Sequence, residues 1–445
     1  MTSTAAPGKD RKIAGAALPL YLTLIASSAG AVVDTAVLGR HATAALAAFA
    51  VTIAVFNPAS AAVAGALRGV MPFVAEKDDD PDGLVAVVRN GMWLGLVVGV
   101  LGALPVAAVP LLGRVTGVPG ATLDALGVFP YLLAGAVLVL GLSTSATSSL
   151  VGLGRGKAVM RSGLAGTTAA VALSLSLVPR FGLPGAGVAM LASVSINACV
   201  AHVSLRRVPV LAGRELRLGR PRFGEVFRFA RVGIPLAGTV LLKFASLGVL
   251  TFAAARISTD AAAVHGVCLS LANLVFTAAV SVGQALIPLM GQSLRTGDVR
   301  DARRNVAAGV RVAFVAVVGL GVLLVGLRAA VIPVFTTDPA IQSQVRAQLP
   351  LLLAVVAFDA FQAVVGFGMI GLKRTLPSLI RFAVVGTLLA LAAVPAATAG
   401  GLAGLWGALA VANALLAVGQ VMSFRHYSAL LAPPPLGAAA PVAAG

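Results

Sequence analysis

Charged residues are scarce in this 445-residue sequence, at 11% of the chain against 59% hydrophobic residues. The mean hydropathy of +0.99 is far above the values typical of soluble domains. Both values exclude an ordinary water-soluble domain and predict an integral membrane protein.

Cysteine and histidine are also rare, with two and four copies. Cys199 and Cys268 fall inside apolar runs, so we expect small packing residues and no disulfide. The histidines lack the spacing of metal ligands, and the sequence has no paired acids or phosphate-cradling loop typical of an enzyme. We therefore expect no metal, no cofactor and no enzyme activity. The four histidines are His41, His202, His265 and His426.

Long apolar runs fill most of the chain. A helix of about 20 residues crosses a hydrocarbon core of about 30 Å, so a chain of this length allows about twelve crossings. A membrane β-barrel would show alternating polarity, which residues 315–325 do not. The sequence predicts an all-α protein with helices over 13–38, 44–74, 84–113, 125–151, 158–179, 185–205, 226–255, 261–291, 305–335, 347–371, 376–398 and 402–424.

The net charge of +18 follows the expected sidedness of membrane loops. Of the 33 basic residues, 26 fall in one set of alternating loops and six in the other. Cytoplasmic loops are the ones enriched in Lys and Arg. We therefore expect a multi-pass protein of the cytoplasmic (inner) membrane with both termini in the cytoplasm, and no nucleic-acid partner.

Uncommon residues repeat along the chain at one constant offset. Near the ends of the halves, 183–185 pairs with 402–404 at a slightly larger offset. This pattern predicts two six-helix bundles related by a parallel internal repeat around a central cavity. The pairs at the constant offset are Pro19 with Pro235, Arg40 with Arg256, Asn57 with Asn273, Pro72 with Pro288 and Asp82 with Asp298.

The predicted domain plan has five parts. They are a cytoplasmic tail over 1–12, an N-terminal lobe over 13–205, a basic linker over 206–225, a C-terminal lobe over 226–424 and a disordered tail over 425–445. The join from Arg206 to Arg231 carries eight arginines. It fits either a contact with anionic membrane lipids or an ordinary cytoplasmic loop.

Asp34 is the only charged residue between Ile13 and Leu38. An intramembrane carboxylate is costly and is usually tolerated where it faces a cavity or a partner, and burial favours its protonated form. Such a group can load a proton on one side and release it on the other. Asp34 also lies about 30 Å along its helix, so an ordinary polar position at the outer interface is the alternative.

Three segments resemble the multidrug and toxic compound extrusion (MATE) transporters. They are ALPLYLTLIASSAGAVVDTAVLGR from Ala17, VSVGQALIPLMGQSLRTGDVRDARR from Val280 and FDAFQAVVGFGMIGLKRT from Phe358. The placement of Asp34 is most similar to the DinF-type branch. The resemblance implies that protonation of Asp34 bends the first helix at the hinge Pro19 and expels substrate from a cavity in the N-terminal lobe. A monomeric state is also expected.

Lys243 lies near the middle of its predicted span, and Asp359 lies at a similar depth in another. Because an unpaired ammonium there is expensive, we expect the two to form a pair in the C-terminal lobe. The pair serves either transport or helix packing. The resemblance implies an acid where Lys243 stands, so a Na⁺ site in this lobe is disfavoured.

The fifth helix departs from the DinF-type pattern, since GTTAAVALSLSL from Gly166 lacks its asparagine and aspartate. Hydroxyl groups and one carboxylate offer too few strong oxygen ligands for Na⁺, which favours H⁺ as the coupling ion. The remaining candidates for substrate contact are polar residues within spans, which can equally serve helix packing. They are Tyr21, Asn57, Tyr131, Ser143, Thr168, Asn197, Asn273 and Gln284.

Together these features predict a secondary active transporter that exports lipophilic, cationic small molecules by H⁺-coupled antiport, with alternating access of its two lobes. Two alternatives stay open within transport. They are Na⁺-coupled antiport and flipping of lipid-linked or polysaccharide precursors, which would favour a more basic cavity.

Overall fold

The computed structural model describes residues 7–39, 43–216 and 218–431, with the backbone alone for residues 7, 29, 31–39 and 43–46. Within these ranges the chain is helical and has no β-strand, as the sequence predicts. His41 and residues 432–445 of the tail predicted to be disordered lie outside the described residues. The prediction of disorder was wrong for residues 425–429, which continue the last helix.

The N-terminal lobe (N-lobe) runs from α1 to α8. Its helices are α1 (Pro7–Gly39), α2 (Thr43–Arg68), α3 (Met71–Ala75), α4 (Pro81–Ala107), α5 (Val109–Val115), α6 (Gly120–Leu126), α7 (Phe129–Gly152) and α8 (Gly156–Arg206). In this lobe α4 packs on α7, α7 on α8 and α8 on α1.

The C-terminal lobe (C-lobe) follows a short 3₁₀ turn at Pro209–Leu211. Its helices are α9 (Phe223–Ile257), α10 (Thr259–Arg295), α11 (Val299–Gly326), α12 (Arg328–Phe335), α13 (Pro339–Gly371) and α14 (Leu376–Ala429). Here α10 packs on α13, α13 on α14 and α14 on α9.

The two longest helices, α8 and α14, each fold back on themselves at a glycine. Gly182 has φ 57° and Gly401 has φ 56°, a left-handed conformation that glycine adopts without a steric penalty. The arms are antiparallel, since Ser193 Oγ donates to the Gly166 carbonyl at 2.9 Å. The predicted break between the fifth and sixth spans therefore lies at Gly182.

Counting both arms of each hairpin, the lobes supply the twelve predicted crossings. Nine of the described helices, the two hairpins among them, are long and apolar enough to cross a membrane. The helix α1, with 33 residues, completes the set. Large apolar side chains such as Leu101, Val315 and Leu391 are 61–71% exposed, as expected where lipid replaces water.

Three predicted helices are each interrupted in the structure. The predicted helix over 44–74 divides, since α2 ends at Arg68 and α3 begins at Met71. The prediction of one helix over 84–113 was wrong, because α4 ends at Ala107 and α5 begins at Val109. Pro110 has no N–H to continue the helical hydrogen bonds. The predicted helix over 305–335 also divides, since α11 ends at Gly326 and α12 begins at Arg328.

The internal repeat is visible in backbone detail. Thr23 Oγ1 donates to the Pro19 carbonyl at 2.9 Å, and Thr239 Oγ1 donates to the Pro235 carbonyl at 2.8 Å. Both pairs lie early in the first helix of their lobe, at equivalent positions of the repeat. The hinge glycines of α8 and α14 are equivalent as well, since each directly precedes one of the matched segments 183–185 and 402–404. The lobes are therefore two copies of one helical plan.

The lobes meet along two equivalent helix pairs, α2 with α9 and α1 with α10. Between α2 and α9, Gly233 packs directly against the backbone of Ala66, and a Cβ added to Gly233 would overlap the Ala66 carbonyl oxygen. A Cβ on Gly69 would lie 2.7 Å from the Gly233 nitrogen. Small residues let membrane helices pack this closely through van der Waals contact.

Candidate functional site

A cavity of about 440 Å³ lies in the C-lobe, next to the lobe interface. Its walls come from α9, α10, α13 and α14, and α1 and α2 of the N-lobe contribute Leu24, Gly65 and Arg68. Most of the lining is apolar and includes Phe276 and Phe367. Such a wall with a few polar groups is typical of a small-molecule site.

Lys243 and Asp359 form an ion pair on the wall of this cavity. Lys243 Nζ lies 2.7 Å from Asp359 Oδ2 and 2.9 Å from Oδ1. Gln362 Nε2 donates to Asp359 Oδ1 at 2.9 Å, and the ammonium lies 3.8 Å from the centre of the Phe276 ring. The side chains are 31% and 13% exposed. The structure thus brings together the two charges that the sequence suggested as a pair.

Arg68 is a third charged group on the cavity wall, at the last residue of α2. Among the described residues it makes no ion pair or hydrogen bond, and its guanidinium lies 5.9 Å from the centre of the Phe367 ring. Arg68, Lys243 and Asp359 are the charged residues among the described part of the lining, which therefore has an excess of one positive charge. From the sequence, Arg68 counts only among the basic residues of the cytoplasmic side, near the end of the predicted helix over 44–74.

Amide and hydroxyl groups complete the polar part of the wall. Asn273 lines the cavity, as its position in a span suggested. Ser378 Oγ donates to Gln420 Oε1 at 3.0 Å, and Asn413 Nδ2 donates to the Val355 carbonyl at 3.4 Å. Sequence reasoning missed Gln362, Gln420 and Asn413, because a lone amide in an apolar helix resembles a packing residue.

The helices α1 and α8 run side by side in the N-lobe. A Cβ on Gly163 would lie 2.3 Å from Thr23 Cγ2, and one on Gly30 would lie 3.1 Å from Thr167 Cγ2. Thr23 of α1 meets Gly163 of α8, and Gly30 further along α1 meets Thr167 further along α8, so the two helices are parallel. Position 34 is one helical turn beyond Gly30, while the Asp34 side chain lies outside the described side chains.

The other predicted contact residues do not line the C-lobe cavity. Their exposure varies from exposed to fully buried. The Oδ1 atom of Asn197 is buried and has no hydrogen-bond partner among the described residues. The hinge residue Pro19 is buried within α1. The exposed residues are Asn57, Tyr131 and Thr168, the buried one is Ser143, and the partly buried ones are Tyr21 and Gln284.

Within the part of the chain that the structure describes, four ion pairs join the lobes at one end of the bundle, which we call the basic face. Lys9 Nζ bonds Asp301, and Arg311 Nη2 lies 2.8 Å from Asp10 Oδ1. The other pairs are Lys373 with Glu76 at 2.5 Å and Arg295 with Asp79 at 2.7 Å. Each pair takes one residue from each lobe, so together they close this end.

Lys373 has an unusual backbone for a side chain of its size. Its φ is 57°, and the matching turn of the N-lobe has Gly154 with φ 68°. The Lys373 ammonium lies 4.2 Å from the centre of the Phe73 ring, which belongs to the N-lobe. Burial lowers the pKa of Lys373, and its bond to Glu76 opposes that shift. The strained lysine is thus held by contacts with the other lobe.

The basic linker is attached to α4 of the N-lobe. Arg89 Nη2 donates to the Glu215 carbonyl at 2.6 Å, and Trp93 Nε1 donates to the Leu218 carbonyl at 3.1 Å. The backbone N–H of Arg222 donates to Asn90 Oδ1 at 3.1 Å. The described residues of this stretch, 215–216 and 218–222, therefore lie along α4.

Two repeated helical lobes of membrane-crossing helices, a mostly apolar cavity with a few charged and polar groups next to the lobe interface, and an ion-paired closure at one end are the features of a membrane transporter. A model of the MatE family matches residues 19–176 and 235–394. The two matched segments begin at the repeated prolines, Pro19 and Pro235, so the family model recognises each lobe as one copy. The chain belongs to the MatE family, whose members are transporters and not enzymes.

Curated relatives and solved structures resemble the chain over most of its length. It is 28% identical to "Probable multidrug resistance protein NorM" of Pseudomonas aeruginosa, over 93% of this chain and 89% of the relative. A protein of the same description from Aromatoleum aromaticum is 27% identical over 83% of each chain. The outward-facing structure of a multidrug resistance MATE family transporter of the MOP superfamily superposes with a TM-score of 0.87 at 18% identity, covering 95% of this chain and 96% of that one.

Proposed function

We propose that this protein exports lipophilic small molecules by exchanging them for protons, with alternating access of the two lobes. The names of its relatives, probable multidrug resistance proteins, support an export role. In this proposal the substrate cavity is in the N-lobe beside Asp34 and is distinct from the C-lobe cavity described above. Its preferred substrates are lipophilic and cationic.

The observation that carries the proposal is the continuity of α1. This single helix has Asp34 near one end, Pro19 inside it, and Lys9 and Asp10 at the other end. Pro19 interrupts the helical hydrogen bonds, so the helix can bend there at low cost. Protonation would make Asp34 neutral and so more stable in apolar surroundings, and in this proposal α1 bends in response. The bend would displace Lys9 and Asp10 and weaken their ion pairs with Asp301 and Arg311 at the basic face.

The C-lobe supports H⁺ over Na⁺ as the coupling ion. Both carboxylate oxygens of Asp359 accept from Lys243, so they are occupied by a cation that is part of the protein. A Na⁺ ion needs several oxygen ligands to replace its hydration shell, and an ammonium at the same carboxylate repels it. Assignment to the DinF-type branch is part of this proposal.

The proton gradient supplies enough free energy for export. One proton moving down about 150 mV releases about 3.5 kcal/mol, which supports more than a hundredfold accumulation of a neutral substrate outside. A monovalent cation exchanged for one proton moves no net charge, so its export depends on the pH gradient alone. The basic face is cytoplasmic in this proposal, because cytoplasmic loops are enriched in Lys and Arg. The protein then works as a monomer in the inner membrane.

Proteoliposome transport tests the proposal. A lipophilic fluorescent cation is loaded and its movement is followed under an imposed pH gradient or an imposed Na⁺ gradient. We expect the pH gradient alone to drive transport, and Asp34→Asn to abolish it while Asp124→Asn, an exposed acid of α6, leaves it unchanged. Full pH-driven transport by Asp34→Asn would reject the assignment of Asp34, and transport driven by Na⁺ alone would reject H⁺ coupling.

A second candidate function is flipping of lipid-linked precursors with anionic phosphates. The excess positive charge on the cavity wall, from Arg68 beside Lys243 and Asp359, favours it. Flipping of a fluorescent lipid phosphate in the same proteoliposomes without any gradient, lost in Arg68→Gln, would select this function over export.

A further inference from the structure

A second, larger cavity of about 810 Å³ lies at the basic face of the C-lobe. It is bounded by the start of α9, the turn between α13 and α14 with the first turns of α14, and the end of α14. No residue of the cavity described above lines it, so the two are separate. We call it the headgroup pocket, and its lining residues are Phe227, Ala230, Arg231, Ile234, Pro235, Lys373, Arg374, Thr375, Leu376, Pro377, Ile380, Arg381 and Tyr427.

The charged residues of the headgroup pocket are all basic. Arg231 and Arg374 are exposed and form no ion pair or hydrogen bond through their guanidinium groups among the described residues. Arg374 lies 5.8 Å from the centre of the Tyr427 ring. Arg381 donates to Ser423, and Lys373 donates to Glu76, which lies outside the lining. Two uncompensated guanidinium groups therefore line a concave site whose described residues include no acid.

The rest of the rim is apolar and open to its surroundings. Phe227 and Ile234 on α9 are 67% and 60% exposed, and Leu376 and Ile380 on α14 are 55% and 54% exposed. Such exposed side chains at the ends of membrane-crossing helices contact acyl chains. The pocket thus combines a cationic floor with a rim suited to hydrocarbon, the chemistry of one end of a phospholipid.

We propose that the headgroup pocket binds an anionic membrane phospholipid, with its phosphate between Arg231 and Arg374 and its acyl chains along Phe227 and Ile380. Arginine binds phosphate oxygens through two parallel N–H groups, which suits the two free guanidinium groups. The N-terminal end of α14, which begins at Leu376, adds the positive end of a helix dipole. A lipid bound here bridges α9 with both ends of α14.

The N-lobe supplies a matched control. Its turn between α7 and α8 carries Arg155 at the position equivalent to Arg374 in the repeat, and Arg161 follows in the same helix. Both are exposed. The double variant Arg155→Gln/Arg161→Gln removes the same charge as Arg231→Gln/Arg374→Gln, at the same face of the protein but outside the headgroup pocket.

Native mass spectrometry of the full-length protein tests the proposal. The protein is titrated with phosphatidylglycerol in detergent against a constant excess of phosphatidylcholine, and bound lipid is counted. Each cation near a membrane surface contributes about a fivefold gain in affinity, so we expect phosphatidylglycerol to bind about 25-fold more weakly to Arg231→Gln/Arg374→Gln. The control variant should bind it as the unchanged protein does.

Three results would overturn the proposal. They are equal weakening in both double variants, no preference for phosphatidylglycerol over phosphatidylcholine, and full displacement by inorganic phosphate, which would indicate a free-anion site. The proposal depends on the membrane location of the protein and not on H⁺ exchange. A protein that does not bind lipid but transports under a pH gradient would contradict only the lipid proposal. A protein that binds lipid but does not transport would contradict only the proposed function.

Discussion

Lys243 shows how neighbouring groups lower the free-energy cost of placing a charge within a membrane span. An ammonium within a membrane span costs several kcal/mol if left alone. Here the carboxylate of Asp359, the ring of Phe276 and the amide of Gln362 surround the charge. Because Lys243 and Asp359 neutralise each other, the stability of the protein should depend on keeping both.

Removing one member of the pair should therefore cost more than removing both. We expect Lys243→Met to lower the free energy of unfolding by about 2 kcal/mol, because it leaves Asp359 uncompensated. The double variant Lys243→Met/Asp359→Leu should recover most of the loss, and Lys243→Arg should behave as the unchanged protein does. Thermal unfolding in detergent measures this cycle, and additive losses in the double variant would contradict it.

Residue-level prediction succeeded where a residue type was unusual for its surroundings. Lys243 and Asp359 stand out because each interrupts an apolar run. Arg68 does not, since basic residues near span ends are common and only the fold places this one on a cavity wall. The partners Glu76 and Lys373 are far apart in sequence, and no local pattern predicts that they meet.

Among the helices, the two hairpins depend most on single residues. Gly401 requires a left-handed backbone, whereas its neighbour Gly400 has φ −135°. Neither residue has another atom within 4 Å of where a Cβ would be built, so packing does not distinguish them. The pair therefore separates backbone strain from steric crowding.

We expect Gly401→Ala to destabilise the protein by about 1 kcal/mol through backbone strain alone. Gly400→Ala should change stability by less than about half of that. The comparison is made by thermal unfolding of the two variants in the same detergent. Equal effects of the two substitutions would show that the left-handed conformation of Gly401 is not what shapes the hinge.

The number and order of membrane crossings followed from the sequence because apolar length and the repeat are local or periodic signals. The ends of α4 and α11 did not, because a break at Ala108 or at Leu327 leaves the apolar run intact. The path of the linker along α4 depends on bonds such as Arg89 to the Glu215 carbonyl, between residues 126 positions apart. Such contacts are fixed by the fold and not by local sequence.

At the scale of the whole molecule, closure of the basic face rests on glycine contact and on ion pairs. A Cβ on Gly233 would meet the Ala66 carbonyl oxygen, whereas one on Gly248 in the same helix would meet nothing within 4 Å. We expect Gly233→Ala to hold the lobes apart at this face, and Gly248→Ala to leave them as they are. Spin labels at positions 77 and 296 measure the separation, and an unchanged distance in Gly233→Ala would contradict the account.

Lys373 offers a way to weaken closure without disturbing the turn. Glycine tolerates its φ of 57°, so Lys373→Gly should keep the turn while removing the ion pair with Glu76. We expect the same labels to report a larger fraction of separated lobes, with little change in thermal stability. A loss of stability without separation would indicate that the pair serves folding and not closure.

The central claim is that a carboxyl group on α1 exchanges its proton for substrate. Proton release tests it most directly, by adding a lipophilic cation to purified protein in weakly buffered detergent solution and recording the pH. We predict that the unchanged protein releases protons on binding and that Asp34→Asn releases none, while still binding substrate. Equal proton release from Asp34→Asn would contradict the account.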